Sequence, residues 1–184
     1  MTRLLAILLA LFYLGNTAQA DNHSDRELDL ANARVVSDKL TTGGQPTKAD
    51  LKRLKEAGFT TVVNLRRDGE TTKRDDPEVA KLFNFDEAEA ASSIGLSYFH
   101  LPISSKDGLT AENAKLLDDA LKAAPGPVLL HCGSGNRASA LLALRAYHVE
   151  GKQPDEALAI GKAAGLTSLE PKVRTQLGLP PLEE

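Results

Sequence analysis

The sequence predicts an α/β fold in which a central, mainly parallel sheet is flanked by helices and the C-terminal third is helical. β-rich apolar runs alternate with helical patterns of about ten to fifteen residues, which is typical of βαβ units. The run at 128–131 (VLLH) is short and largely apolar, as expected for a strand covered on both faces. Gly and Pro residues stand at the junctions between these runs, and no internal repeat is present.

The individual elements follow from local patterns. Strands are predicted at 34–36, 40–42, 59–65, 96–101 and 128–131. Helices are predicted at about 48–57, 77–94 (as one or two helices), 111–124, 138–150, 154–164 and 169–177. Thr47, followed three residues later by Asp50, resembles a capping box with Asp in place of Glu or Gln, and Thr110 is a second cap.

The first 20 residues have the layout of a secretory signal peptide. Arg3 precedes an apolar run from Leu4 to Leu14, and Ala18-Gln19-Ala20 forms a small-x-small cleavage site. The run is short for a membrane span, and an uncleaved anchor is the alternative. We therefore expect a periplasmic or secreted protein without stable membrane insertion after cleavage. Its organisation would be a signal peptide at 1–20, a polar linker at 21–33 and one catalytic domain at 34–180.

Composition narrows the class of function. The 184 residues are 42% hydrophobic and 26% charged, which suits one domain with a sizeable core. A formal net charge of −3 gives no electrostatic reason to expect nucleic acid binding. The single cysteine, Cys132, leaves no internal disulfide to form. No Cys or His partners surround it at ligand spacing, so neither a metal nor a cofactor is predicted.

Cys132 opens a glycine-containing loop, HCGSGNR, between the last predicted strand and a helix. Gly133 and Gly135 allow backbone N–H groups to approach a ligand, and the helix N-terminus that follows attracts anions. Arg137 adds a planar cation suited to an oxyanion. The same field favours the thiolate, so Cys132 is the predicted nucleophile. The alternative is an ordinary strand-to-helix turn that buries a small side chain.

This loop resembles the active loop of cysteine-dependent tyrosine and dual-specificity phosphatases, in which His-Cys opens the loop and Arg closes it. Across most of 34–178, the chain resembles the phosphatase-like domain of the beta-lactamase-hydrolase-like proteins. The segments that carry this resemblance are GGQP (43–46), VVNLR with GE (62–66 and 69–70), the strand at 98–102, PVLLHCGSGNRASALLAL (127–144), GKQPDEA (151–157) and AGLTSLE (164–170). The resemblance implies a dual-specificity-phosphatase-like fold.

The resemblance also implies roles for the site residues. Cys132 would attack the phosphorus of a phosphate monoester and carry a phosphoryl group. Arg137 would bind the phosphoryl oxygens together with the loop, where the expected substrate-binding residues are His131, Gly133, Ser134, Gly135 and Asn136. His131 would act mainly as an orienting hydrogen-bond partner. Asp107 is the candidate general acid, with Asp68 as a weaker substitute; a solvated turn residue is the alternative for Asp107.

The loop departs from the phosphatase pattern in its length. Four residues separate Cys132 from Arg137 where five are usual, and Ala138 stands where a Ser or Thr is expected. The four-residue interval resembles that of rhodaneses, sulfurtransferases that carry a persulfide on the cysteine, since a smaller loop suits a single sulfur atom. A sulfurtransferase is therefore the alternative function, and a non-catalytic anion-binding module is a third.

Two arginines at the end of the 59–65 strand allow two interpretations. Arg66 and Arg67 could line the mouth of the pocket, or they could form a solvated loop near Asp75 and Asp76. The second interpretation is the default for a charged loop.

Overall fold

One five-stranded sheet organises the computed structural model, which describes residues 30–71 and 75–183. Its strands are β1 (Arg34–Ser37), β2 (Leu40–Gly43), β3 (Thr61–Asn64), β4 (Ser97–His100) and β5 (Val128–His131). They lie in the order β1-β2-β5-β3-β4. Only the β1–β2 pair is antiparallel, so the predicted mainly parallel sheet is confirmed. The predicted signal peptide and nearly all of the predicted linker lie outside the described residues.

Seven helices occur in the described part of the chain. They are α1 (Lys48–Glu56), α2 (Pro77–Lys81), α3 (Glu87–Ser93), α4 (Ala111–Ala123), α5 (Asn136–His148), α6 (Pro154–Ala163) and α7 (Glu170–Leu177). The capping box of α1 is confirmed, because Thr47 Oγ1 accepts from the Asp50 N–H and Asp50 Oδ2 accepts from the Thr47 N–H. Separate caps at Asp76 and Asp86 divide the predicted 77–94 segment into two helices.

Side chains of the central strands alternate between two cores. Val62 of β3 and Leu129 of β5 pack with residues of α1 and α3 on one face of the sheet. Val63 and Leu130 pack with residues of α4, α5, α6 and α7 on the other face. The C-terminal helices therefore cover one face, as the predicted helical C-terminal third requires.

Helix α5 begins two residues earlier than predicted. The N-cap is Gly135, whose φ of 89° lies in the left-handed region that favours glycine. Asn136 and Arg137 therefore belong to the first helical turn and not to a free loop. This start fixes the base of the Arg137 side chain relative to β5. No helix within 30–71 and 75–183 has the length and apolar character needed to cross a membrane.

Candidate active site

Cys132 lies at the C-terminal end of β5, where ligands bind in open α/β sheets. Its side chain is buried, and its Sγ accepts a hydrogen bond from the Gly135 N–H at 3.2 Å. The loop is anchored to the turn after β2 by a bridge between Gly44 and Ser134. A backbone amide of the loop therefore already points at the sulfur atom, as an anion-stabilising loop requires.

A cavity of about 550 Å³ opens above Cys132. Its lining brings together five of the predicted site residues: Cys132, Gly133, Ser134, Asn136 and Arg137. The other lining residues come from the β3 loop, the β4–α4 loop and the segment before α7: Arg66, Glu70, Thr71, Ser105, Ser168 and Leu169.

Arg137 is held in place by three residues from two segments, the loop after β3 and the loop between β4 and α4. Its Nη1 and Nη2 donate to the two carboxylate oxygens of Glu70 at 3.1 and 3.0 Å. Nη1 also donates to the Leu65 carbonyl oxygen at 2.8 Å, and Nε donates to Ser105 Oγ at 2.9 Å. Such a bidentate contact with a carboxylate fixes the orientation of a guanidinium group.

Glu70 is a site residue whose role the sequence reasoning missed. Burial raises the pKa of its carboxyl, whereas hydrogen bonds from Arg137 and from the Arg67 backbone lower it. Together the lowering effects exceed the effect of burial, so the pKa of Glu70 is below its ordinary value. Glu70 is therefore ionised at neutral pH. The signal in the sequence is the GE pair at 69–70, one of the segments that carry the family resemblance.

The structure favours the weaker of the two interpretations of Arg66. Its side chain is buried and lines the cavity, with Nε 3.6 Å from Glu70 Oε1, whereas Arg67 is exposed. Glu70 is an acidic partner of Arg66. Among the described residues, the cavity lining includes two guanidinium groups and one carboxylate, which favours anionic ligands.

Asn136 connects the loop to the C-terminal part of the chain. Its Nδ2 donates to Ser168 Oγ at 2.7 Å, and its Oδ1 accepts from the Thr167 N–H at 2.9 Å. The side chain amide is thus engaged with the segment before α7. Ser168 and Leu169 are placed at the cavity wall as a result.

Comparison with known proteins identifies the family. The family model described as beta-lactamase hydrolase-like protein, phosphatase-like domain, matches residues 32–148. The chain belongs to this family. A beta-lactamase hydrolase-like protein of Agrobacterium fabrum is 33% identical over 109 residues, which are 59% of this chain and 23% of that protein. One from Xylella fastidiosa is 31% identical over 131 residues, 71% of this chain and 28% of that protein. The chain thus spans about a quarter of these relatives.

Solved structures show that the phosphatase-like domain shares its fold with tyrosine-phosphatase-like proteins. A phosphatase candidate from Neisseria meningitidis superposes with a TM-score of 0.60 at 24% identity, covering 78% of this chain and 97% of that one. TpbA of P. aeruginosa, solved with phosphotyrosine, superposes with a TM-score of 0.52 at 17% identity, covering 83% of this chain and 98% of that one. The expected dual-specificity-phosphatase-like fold is confirmed.

The two predicted acids of the phosphatase-like domain lie away from the cavity lining. Asp107 is exposed, and a hydrogen bond with Ser104 lowers the pKa of its carboxyl. Asp68 is 89% exposed and lies 3.8 Å from His100 Nδ1. Neither carboxyl is among the lining residues, and a general acid must reach the leaving group in its protonated form. The assignment of Asp107 stays a prediction.

Two other predicted residues lie behind the cavity. His131 is fully buried and is absent from the lining, as is Gly135, whose N–H faces the sulfur. His131 Nε2 lies 2.6 Å from Glu87 Oε1. Its orienting role is consistent with this position, whereas direct contact with a substrate would require the ring to leave the core.

Proposed function

We propose that the phosphatase-like domain hydrolyses phosphate monoesters through a phosphoryl group carried on Cys132. The observation that carries this proposal is the position of Sγ, at the floor of a cavity whose walls include Arg137, Arg66 and the loop. The thiolate would attack phosphorus as the ester P–O bond breaks, and the leaving oxygen would take a proton from water, or from Asp107 if that residue is the general acid. Water would then cleave the S–P bond, which releases phosphate and restores the thiolate.

The charges of the cavity point to esters with good leaving groups. Glu70 is the one carboxylate among the described residues that line it, and Arg137 keeps that carboxylate ionised. A phenolic leaving group needs less help from an acid than an alkyl alcohol does. We therefore propose aryl phosphates as the substrate class. The phosphotyrosine bound to TpbA is of this kind, which supports the proposal by analogy of fold.

The test compares the purified protein with Cys132→Ser on p-nitrophenyl phosphate. Turnover by the wild type, loss of turnover in the variant and a phosphoryl adduct on Cys132 by mass spectrometry are the expected results. Hydrolysis that survives Cys132→Ser would refute the covalent route. For Asp107, the comparison is Asp107→Asn on phenyl and p-nitrophenyl phosphate; an equal rate on the poorer leaving group would remove Asp107 as the general acid.

Persulfide transfer is the second candidate, and the short loop favours it. Only four residues separate Cys132 from Arg137, and in the part of the chain that the structure describes the cavity lining offers no carboxyl other than Glu70. Sulfur transfer needs no proton donor: the thiolate attacks the outer sulfur of thiosulfate, the S–S bond breaks and sulfite leaves. Cyanide then takes the sulfur as thiocyanate. Thiocyanate formation without phosphate release would select this function, and anion binding without either product would indicate a binding module.

We further propose that residues 1–20 direct export of the protein and are removed. The basis is the Arg3, Leu4–Leu14 and Ala18-Gln19-Ala20 pattern. Cell fractionation combined with N-terminal sequencing tests it. A mature N-terminus at Asp21 in the periplasm is expected, and an intact N-terminus in the cytoplasm would refute it.

A further inference from the structure

Asn32, the next-to-last residue of the predicted linker at 21–33, forms part of a turn beside the cysteine loop. The Leu30 carbonyl oxygen accepts from the Ala33 N–H at 3.0 Å, so residues 30–33 close a turn with Asn32 as its third residue. Its φ is 57°, and no other non-glycine residue has a positive φ in the part of the chain that the structure describes. A positive φ at this position favours Gly or Asn, and Gly adopts it with less strain. The backbone conformation alone therefore does not explain the side chain of Asn32.

The turn is fixed against the cysteine loop at two points. Leu30 is buried in the core that also contains residues of α1 and α3. The Ala31 carbonyl oxygen accepts from the Gly44 N–H at 2.8 Å, and Gly44 in turn bridges to Ser134 of the loop. Contacts of the neighbouring residues therefore set the position of Asn32 relative to the loop, and its own side chain is left to act on the loop.

The side chain of Asn32 reaches the sulfur of Cys132 through one peptide group. Asn32 Nδ2 donates to the Ser134 carbonyl oxygen at 3.2 Å, and this orientation of the amide is required because a carbonyl oxygen only accepts. The N–H of the same peptide group belongs to Gly135 and donates to Cys132 Sγ at 3.2 Å. A trans peptide group is planar, with its oxygen and its hydrogen on opposite sides. A donor that holds the oxygen therefore also aims the N–H.

This peptide group needs a restraint because glycine follows it directly. Gly135 has a φ of 89° and lacks a Cβ, so rotation of the peptide next to it meets a smaller steric barrier than in other residues. A rotated peptide would turn the Ser134 carbonyl oxygen toward the sulfur and would repel a thiolate. The donor on Asn32 favours the observed orientation, and consecutive hydrogen bonds of this kind polarise one another.

We propose that Asn32 is a positioning residue that holds the Ser134–Gly135 peptide with its N–H directed at Cys132 Sγ and thereby favours the reactive thiolate. This inference rests on the proposed function only in taking Cys132 as the nucleophile. Asn32 is absent from the cavity lining, so it acts through the loop and does not touch the substrate. The role is therefore the same for phosphoryl transfer and for sulfur transfer.

The experiment measures the rate constant for alkylation of Cys132 by iodoacetamide at neutral pH. Asn32→Gly suits the positive φ but removes the donor, and Asn32→Asp keeps the side-chain shape but presents only acceptors to the Ser134 carbonyl oxygen. The rate constant should fall about two- to fivefold in Asn32→Gly and at least as far in Asn32→Asp, the effect of one exposed hydrogen bond on the thiolate. Asn84→Asp, at an exposed position outside the cavity lining, is the control with the same change in charge. Wild-type rates in both Asn32 variants would overturn the proposal.

A second measurement separates positioning from general stability. In NMR spectra of the ¹⁵N-labelled protein, the amide proton of Gly135 should move upfield in Asn32→Gly, because its hydrogen bond to the sulfur becomes weaker. Slower alkylation with the Gly135 resonance in its wild-type position would show a merely structural role and would overturn the proposal. Neither readout depends on turnover. The expected changes in Asn32→Gly, without phosphate release by the wild type, would refute the proposed phosphatase and leave the role of Asn32 standing.

Discussion

Replacing Glu70 with Gln tests whether Arg137 must be oriented by a carboxylate to act on a substrate. Arg137 donates to both carboxylate oxygens of Glu70, at 3.0 and 3.1 Å. Glutamine supplies one acceptor oxygen, and its amide N–H₂ would face the guanidinium donors. One charged hydrogen bond is therefore lost, while the contacts to Leu65 and Ser105 remain.

The magnitude follows from that single bond. A hydrogen bond to a charged group contributes about 1.5–3 kcal/mol, and each 1.4 kcal/mol lost from the transition state lowers the rate about tenfold. We expect kcat to fall about 10- to 100-fold. Glu70→Gln also removes a negative charge from the cavity, which strengthens anion binding. The KM should therefore stay the same or decrease, and the loss should appear in kcat.

The assay is steady-state hydrolysis of p-nitrophenyl phosphate, or thiocyanate formation if the protein is a sulfurtransferase. Glu56→Gln, at an exposed position on α1, is the control with the same change in charge. Thermal melting of both variants shows whether the fold is retained. A folded Glu70→Gln protein with wild-type kcat would show that Leu65 and Ser105 suffice to hold Arg137, and the reasoning would fail.

Three further substitutions test the packing and electrostatics of the fold. Gly161→Ala places a Cβ 2.9 Å from the Ala143 Cβ, so overpacking should cost about 1–3 kcal/mol in chemical denaturation. Gly135→Ala forces a φ of 89° on a residue with a Cβ; we expect a lower Tm and loss of turnover together. Burial raises the pKa of Asp118, but hydrogen bonds from Lys122 and Arg145 outweigh that effect, and the pKa lies below the ordinary 3.8. Its contribution is present above that value and is lost as the pH falls through the lowered pKa, so the Tm difference between wild type and Asp118→Asn should shrink on acidification below about pH 4.

Local patterns were sufficient to predict most of the fold. The capping residues, the apolar runs and the glycines act within a few positions, so the strands and the boundaries of α1 and α4 could be predicted closely. The start of α5 could not be predicted, because it depends on the left-handed backbone of Gly135. From the sequence alone, Gly133 could adopt the same conformation.

The site could be predicted only where its residues are close in the chain. Cys132 and Arg137 share one loop, and the resemblance to phosphatases rests on that spacing. Glu70 and Glu87 meet their partners across 67 and 44 positions, and a carboxylate among many on a charged surface leaves no periodic signal. Such pairings become visible only when the sheet order brings β3, β5 and α3 together.

Different residues lie in front of Cys132 and behind it at the end of β5. The cavity in front of Cys132, with Arg137 and Glu70, determines which group can be bound and transferred. The buried pair behind it, His131 and Glu87, is joined by a 2.6 Å contact and lines no part of the cavity. A loop one residue shorter than the phosphatase pattern therefore changes the size of the cradle, while Cys132 keeps its hydrogen bond from the Gly135 N–H. The cavity then determines whether the cysteine accepts a phosphoryl group or a sulfur atom, and Glu70→Gln, which weakens the hold on Arg137 in that cavity, should lower the turnover of whichever substrate the protein accepts.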